Sequence, residues 1–237
     1  NLGNFLIFMT YSFTTPLVFV FSLILQSLMA QTKPCLYEEK MRSQGLVDVQ
    51  MEIKQVLVQL KYATTDNFMH QNVYGCLTKA FLQKQTVAKL SLAQSLLEKE
   101  KPGYRLLIYD AARPLSKQWD LWNALSQYPP KIRRNYVASP QEHSIHNYGS
   151  AVDLTIADEQ GNALDMGTPF DYFGKEAYPK AEKELLKKGI LSKEVYQNRL
   201  LLRKVMQKAG FLPIEYEWWH FNAFSRAEAK KRFQVVQ

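Results

Sequence analysis

The stretch Glu142-His-Ser-Ile-His-Asn-Tyr-Gly-Ser-Ala-Val-Asp-Leu154 contains the residues around which the rest of the chain is best interpreted. Residues 150–156 alternate in polarity and are rich in β-branched side chains, which predicts a strand. A turn at residues 147–149 would fold His146 back beside Asp153, so that an imidazole faces a carboxylate. Because an open catalytic zinc site needs three protein ligands, with a fourth position left for water, this pair is incomplete.

A third metal ligand is available far downstream, in Glu215-Tyr-Glu-Trp-Trp-His-Phe221. Glu217 and His220 are three residues apart, and on a regular strand such side chains face opposite sides. A shared site therefore requires a bulge or a strand end near Trp218-Trp219. Considered alone, His146 would be a turn histidine bonded to backbone, and the downstream pair a surface carboxylate and a packed imidazole.

The composition limits the class of protein. With 237 residues, 46% of them hydrophobic and 13% aromatic, the chain can bury one substantial core. The net charge of +8 favours anionic surroundings, but the basic residues form no stripe or nucleic-acid motif, so we expect no nucleic-acid partner. Cys35 and Cys76 are too few for a disulfide scaffold. They would form one bridge in an exported protein, or remain two free thiols.

The first 32 residues contain no Lys, Arg, Asp or Glu. Residues 16–30 have the length of a signal-peptide apolar region and are short for a membrane span, and Ala30 permits cleavage before Gln31. We therefore predict a signal peptide over residues 1–30, export to the periplasm, and no stable membrane insertion after cleavage. The alternatives are an uncleaved anchor or a mistranslated upstream stretch, with Met9 as the true start. Without a functional signal, the protein would be cytoplasmic.

Residues 31–237 are predicted to form a single domain, since no repeat or linker divides them. The strand patterns cover residues 47–62 (one or two strands), 105–109 and 214–221. The helical patterns run from about residue 77 to 101, from a cap at Ser116, over residues 192–209, and after a capping box at Ser225 and Glu228. These elements predict an α+β fold, in which a mostly antiparallel sheet bears the zinc site and helices surround it.

Two further segments carry candidate functional residues. Arg113 follows the predicted strand 105–109 and precedes the rigid Pro114, which places it well to reach into a cleft. Taken alone, this arginine is better explained by a surface salt bridge. Asp171 lies in a turn-rich aromatic loop, residues 166–173, between the two predicted metal-binding segments.

Together these motifs resemble those of a known family. Ser144-x-His146-x-x-Gly149-x-Ala151-x-Asp153, combined with Glu217-x-x-His220 and Asp110-x-x-Arg113-Pro114, is similar to the zinc D-alanyl-D-alanine dipeptidases of the vancomycin-resistance type. Those enzymes belong to a wider group of zinc D-Ala-D-Ala peptidases that share a fold with the hedgehog signalling domain. The likeness runs in order from about Tyr62 to His220. The two histidines and the aspartate alone would identify only the wider group.

The resemblance implies one zinc ion per chain, bound by His146, Asp153 and His220. It further implies that Glu217 is the general base, which activates water and then protonates the leaving amine. Arg113 would stabilise the oxyanion of the tetrahedral intermediate. No serine or cysteine nucleophile motif is present, and a metal mechanism needs none.

The implied substrate is the small dipeptide D-Ala-D-Ala, hydrolysed to D-alanine as part of peptidoglycan metabolism. By the resemblance, Tyr62 and Asp171 meet the substrate ammonium and Ser144 helps to hold the carboxylate. One alternative is a D,D-carboxypeptidase that trims longer wall peptides, against which the ammonium-binding pair argues. A second is an inactive zinc-stabilised wall-binding module, against which Glu217 and Arg113 argue, because a structural zinc site needs neither.

Overall fold

The computed structural model describes residues 34–237, so the predicted signal segment lies outside the described residues. Residues Cys35–Gln237 form one unit, in agreement with a single α+β domain. Within the described residues, no helix combines the length and apolar character needed to cross a membrane.

A five-stranded sheet forms the centre of this unit, in the order β2-β4-β5-β7-β6. Its strands are β2 (Leu57–Val58), β4 (Arg105–Asp110), β5 (Ala151–Ala157), β6 (Leu212–Pro213) and β7 (His220–Asn222). The β4–β5, β5–β7 and β6–β7 pairs are antiparallel, whereas β2 and β4 are parallel. The predicted mostly antiparallel sheet is thus confirmed. A separate ribbon pairs β1 (Val47–Asp48) with β3 (Phe81–Leu82).

Helices surround the sheet and cover it so completely that every residue of β5 is buried. They are α1 (Leu36–Ser43), α2 (Val49–Glu52), α3 (Lys84–Glu100), α4 (Leu115–Ala124), α5 (Pro130–Arg133), α6 (Glu182–Lys187), α7 (Lys193–Lys208) and α8 (Arg226–Arg232). The two long helices, α3 and α7, pack against each other and against the central strands. Ser192 caps α7, and the capping box of Ser225 and Glu228 begins α8.

Several local predictions were wrong in detail. The region predicted as strand beyond Asp48 becomes α2, because the Asp48 side chain accepts the Gln50 N–H and starts a helical turn. The predicted helix at residue 77 begins only at Lys84, since Phe81–Leu82 pairs with β1. Ser116 does not cap α4, because Pro114 occupies the N-cap position.

The predicted last strand is also shorter than expected, since only His220–Asn222 forms a ladder. Trp218 and Trp219 are adjacent and both buried. A regular strand sends neighbouring side chains to opposite faces, so two consecutive core tryptophans favour an irregular approach to the strand.

A disulfide joins Cys35 to Cys76, which decides between the bridge and the two free thiols. The bridge closes a sequence separation of 41 residues and ties the start of α1 to the segment before β3. That segment includes the buried Tyr74, whose hydroxyl donates to Asp110 at the end of β4.

Candidate metal centre and active site

His146 is placed by a short 3-10 helix, Ile145–Tyr148, that ends just before β5. Ser144 caps this turn, because its hydroxyl accepts the His146 N–H at 3.3 Å. Gly149 then adopts φ = 62°, and a Cβ atom there would lie 2.9 Å from Leu46 Cδ2. Glycine is therefore the residue that permits both the turn and the close packing. As a result, His146 Nε2 lies 3.3 Å from Asp153 Oδ1.

His220 reaches the same point from the neighbouring strand, since the β5–β7 register pairs it directly with Asp153. Its Nδ1 lies 2.9 Å from Asp153 Oδ1 and 3.2 Å from His146 Nε2. The three side chains each offer one ligand atom, and these atoms lie within 4.8 Å of one another.

The hydrogen bonds on the far side of each imidazole fix which nitrogen bears the proton. His146 Nδ1 lies 2.7 Å from the carbonyl oxygen of Ala111, and His220 Nε2 lies 2.8 Å from Asn222 Oδ1. Because both partners are acceptors, these two nitrogens donate, which leaves His146 Nε2 and His220 Nδ1 with free lone pairs. Such outer hydrogen bonds are typical of metal-binding histidines.

Three lone pairs, one on a carboxylate, therefore face a common point, and this arrangement requires a positive charge. Burial opposes the charged form of Asp153, but His146 and His220 outweigh it and hold the pKa of that carboxyl well below its usual range. Burial likewise opposes the imidazolium of His220, yet the Asp153 carboxylate raises the pKa of His220 to about 9. A divalent cation would also supply that charge, and two nitrogens with one oxygen form a ligand set that zinc accepts.

Glu217 lies just before β7, and its Oε2 is 3.9 Å from His220 Nδ1. The strand end, rather than a bulge, brings the two side chains to one side. Burial raises the pKa of Glu217 above its ordinary value, against the opposing effect of His220. A carboxylate with a raised pKa beside a metal site is suited to accept and return a proton.

Arg113 is 7% exposed, so the surface salt bridge considered for it is wrong. Its Nε lies 3.1 Å from Asp110 Oδ2, and its Nη1 donates to Gln118 Oε1 at 2.9 Å. Asp110 also accepts from Tyr74. The guanidinium is thus held by a buried polar network at the edge of the site.

Asp171 and Tyr62 lie at another part of the site. Asp171 has φ = 61°, an uncommon value for a residue with a Cβ. Its Oδ2 is buried without a hydrogen-bond partner in the part of the chain that the structure describes. Burial raises the pKa of Asp171 well above its ordinary value, although Tyr62 opposes this rise.

One cavity of about 220 Å³ unites these groups. Its lining includes every candidate residue of the sequence analysis: Tyr62, Arg113, Ser144, His146, Asp153, Asp171, Glu217 and His220. Sequence reasoning missed Asn222, the hydrogen-bond partner of His220. A polar residue two positions after a ligand on the same strand face was the only available indication.

A family model and several known proteins match most of this chain. A family model described as D-ala-D-ala dipeptidase matches residues 42–237. The D-alanyl-D-alanine dipeptidase of Escherichia coli (strain K12) is 34% identical over 177 residues, which cover 75% of this chain and 83% of that protein. The dipeptidase of Enterococcus faecalis is 34% identical and that of Enterococcus faecium 35%; each match covers 68% of this chain, and 83% and 82% of those proteins.

A weaker likeness exists to a solved structure, the LdcB LD-carboxypeptidase. It aligns with a TM-score of 0.40 and 19% identity over 64% of this chain and 63% of that one. That score is too low to support any inference about function.

Proposed function

The chain belongs to the family of D-Ala-D-Ala dipeptidases, and on this basis we propose that it hydrolyses D-alanyl-D-alanine to D-alanine with one bound zinc ion. Membership of the family makes it a metallopeptidase with a link to peptidoglycan. The finer proposal concerns the metal and the residues that perform the reaction.

His146, Asp153 and His220 would hold the zinc ion through the three convergent atoms described above. When bound, zinc would supply Lewis acidity toward the scissile carbonyl and the attacking water. Glu217 takes a proton from that water and returns it to the leaving amine. Its raised pKa suits both transfers, since the same carboxyl must act as base and then as acid.

Arg113 faces the developing negative charge of the carbonyl oxygen. Its guanidinium is pre-positioned by Asp110 and Gln118, so little reorganisation accompanies the reaction. Loss of one such preorganised donor costs about 2.7–4 kcal/mol in the barrier of other hydrolases.

The two ends of the dipeptide are held by opposite charges and polar groups. Asp171 would receive the substrate ammonium, which supplies the partner that its Oδ2 lacks. Tyr62 packs between this carboxylate and Arg113, whose Cζ lies 5.3 Å from the tyrosine ring. Ser144, beside His146, would help to bind the substrate carboxylate.

The observation that carries this proposal is the convergence of three potential ligand atoms beside Glu217. Its test is turnover of D-Ala-D-Ala by purified protein, together with elemental analysis of the bound metal. We expect cleavage and one equivalent of zinc per chain. No cleavage, or one equivalent of iron as the active metal, would contradict the proposal.

The D,D-carboxypeptidase alternative is tested by N-acetyl-D-Ala-D-Ala, which lacks the ammonium. An N-blocked substrate would bury the Asp171 carboxylate without a partner, so we expect it to be a poor substrate. Equal cleavage of both substrates would instead favour a D,D-carboxypeptidase.

We further propose that the protein acts outside the cytoplasm. The Cys35–Cys76 bridge supports export, because disulfides persist mainly in oxidising compartments. The mature protein from its native host is then expected to begin near Gln31. Mass spectrometry that finds residues 16–30 on cytoplasmic protein would contradict export.

A further inference from the structure

Arg199 is the largest fully buried side chain in the described part of the protein, and the proposed reaction does not use it. It lies on α7, and its Nε donates to the carbonyl oxygen of Met166 at 2.7 Å. Nη1 lies 3.5 Å from Glu182 Oε1, but within residues 34–237 neither Nη1 nor Nη2 makes a hydrogen bond. Burial of a guanidinium with unsatisfied donors is unfavourable, so stability alone explains this arginine poorly.

The segment that Arg199 holds, residues 166–171, ends in the candidate ammonium-binding residue. Its backbone is pressed against α7, because a Cβ atom on Gly167 would lie 2.8 Å from Val195 Cγ1 and 3.6 Å from Arg199 Nη2. Asn198 adds a second tie, since its side chain donates to the carbonyl of Asp165 at 3.0 Å. This face of α7 therefore fixes the start of the loop.

The end of the loop needs such support. Asp171 has a positive φ, which is unfavourable for a residue with a Cβ and persists only where its surroundings impose it. The indole of Trp218, whose ring lies 5.8 Å from Arg199 Cζ, donates to Thr168 Oγ1 at 2.8 Å. The loop is thus fixed between α7 and the segment that carries Glu217.

We propose that Arg199 is a positioning residue for substrate recognition, which holds Asp171 in the conformation that binds the substrate ammonium. The inference rests on the proposed dipeptidase function. An arginine is required because Nε contacts the loop while Nη1 faces Glu182, and a single lysine ammonium cannot occupy both positions.

Arg203 provides a matched control on the same helix. It also pairs with Glu182, through both of its Nη atoms, and it makes no hydrogen bond to residues 166–171. Removal of Arg203 disturbs the same buried carboxylate without releasing the loop.

The test compares two substrates, D-Ala-D-Ala and D-lactyl-D-alanine, in which a hydroxyl replaces the ammonium. The ratio of their kcat/KM values is unaffected by the fraction of protein that is folded. We expect the wild type to prefer the dipeptide by roughly 10–150-fold, the range for a hydrogen bond to a charged group. Arg199→Met is expected to lose most of that preference.

Arg199→Lys, which keeps a charge beside Glu182 but not the Nε–H donor, should lose the preference as well. Asn198→Ala should lose part of the preference, and this substitution removes no core side chain. Arg203→Met should melt at a lower temperature but keep the wild-type ratio. A wild-type ratio in either Arg199 variant, or an equal loss in Arg203→Met, overturns the inference. Failure of the wild type to cleave D-Ala-D-Ala overturns the proposed function itself.

Discussion

Two walls of the cavity are built in different ways. The metal-binding wall carries the proposed ligands His146, Asp153 and His220, and the loop wall carries Asp171 at the end of residues 166–171. On the metal-binding wall, Asp153 and His220 are paired residues of adjacent strands, and ladder hydrogen bonds set their separation. On the loop wall, Asp171 has no ladder and is placed by side-chain ties such as Arg199 to the carbonyl of Met166. A strand ladder thus fixes two of the three proposed metal ligands, whereas irregular backbone fixes the proposed substrate contact.

This difference separates chemistry from recognition. A strand ladder fixes the backbone positions of paired residues, which suits ligands that must meet at one point. The loop leaves one oxygen of the Asp171 carboxylate without a hydrogen-bond partner among the described residues, and the proposed substrate would provide one. Changes on the first wall should therefore remove metal and turnover, and changes on the second should alter affinity and stability.

The largest effect is expected for His220→Ala on the metal-binding wall. Removal of one of three ligands should leave the protein without stoichiometric metal and without measurable turnover. Elemental analysis and a D-Ala-D-Ala assay check this. His143→Asn is the control, because it removes an imidazole from a positive-φ position that asparagine tolerates. Retention of a full equivalent of metal by His220→Ala would exclude His220 as a ligand.

Glu217→Ala should give the next largest effect, a loss of about 10²–10⁴-fold in kcat with the metal retained. The metal should be retained because a general base does not bind it. Glu215→Ala, an exposed carboxylate two residues earlier, should behave as the wild type. If Glu217→Ala also loses its metal, Glu217 is a ligand and not the base.

Asp171→Asn tests the loop wall, and it should lower the activity while it raises the stability. We expect kcat/KM for D-Ala-D-Ala to fall by roughly 10–150-fold, because a charge-assisted hydrogen bond is lost. The melting temperature should rise, because asparagine tolerates the positive φ and leaves no unpaired buried charge. Asp66→Asn, an exposed carboxylate, is the control.

The pH dependence of this rise in the melting temperature of Asp171→Asn follows from the raised pKa of Asp171. A raised folded-state pKa means that the folded protein binds this proton more tightly than the unfolded chain. The resulting stabilisation is complete below the unfolded pKa of about 3.9 and is lost as the pH rises through the folded-state pKa. The difference in melting temperature between Asp171→Asn and wild type should therefore widen from pH 4 toward neutrality. A constant difference would show that strain alone is responsible.

The smallest effect is expected for Asn222→Ala, which removes the acceptor of the His220 Nε2–H. Loss of such an outer partner weakens metal affinity by about 10–100-fold. Competition with a chelator measures it. Asn222→Asp should retain most of the affinity, since it preserves the acceptor. Unchanged affinity in Asn222→Ala would mean that the ladder alone orients the imidazole.

The same contrast explains what the sequence could predict. The strand at Arg105–Asp110, the helix at Lys193–Lys208 and the capping box at Ser225 follow local patterns, and each was predicted nearly as found. The candidate site residues belong to three short motifs and two further segments that together resemble one family, so their convergence on one cavity was also foreseeable.

The features that sequence reasoning missed depend on distant partners. Trp218 and Trp219 enter the core together and shorten the last strand, although their local pattern favours a strand. Arg199 appears in the sequence as one more basic residue of an amphipathic helix. Its burial depends on Met166 and Glu182, which lie 33 and 17 positions away, and no local pattern signals such contacts.

The direct pairing of Asp153 with His220 has a consequence for the way the protein opens. A cation held by both residues joins two neighbouring strands across a sequence separation of 67 residues. Fraying of β7 from β5 then cannot proceed while the cation stays bound, so local unfolding and metal release become one event. Amide protons at this strand end should exchange slowly in the loaded protein and quickly after chelation. The centre that we propose for the chemistry would thereby also hold the three-residue strand β7 against β5.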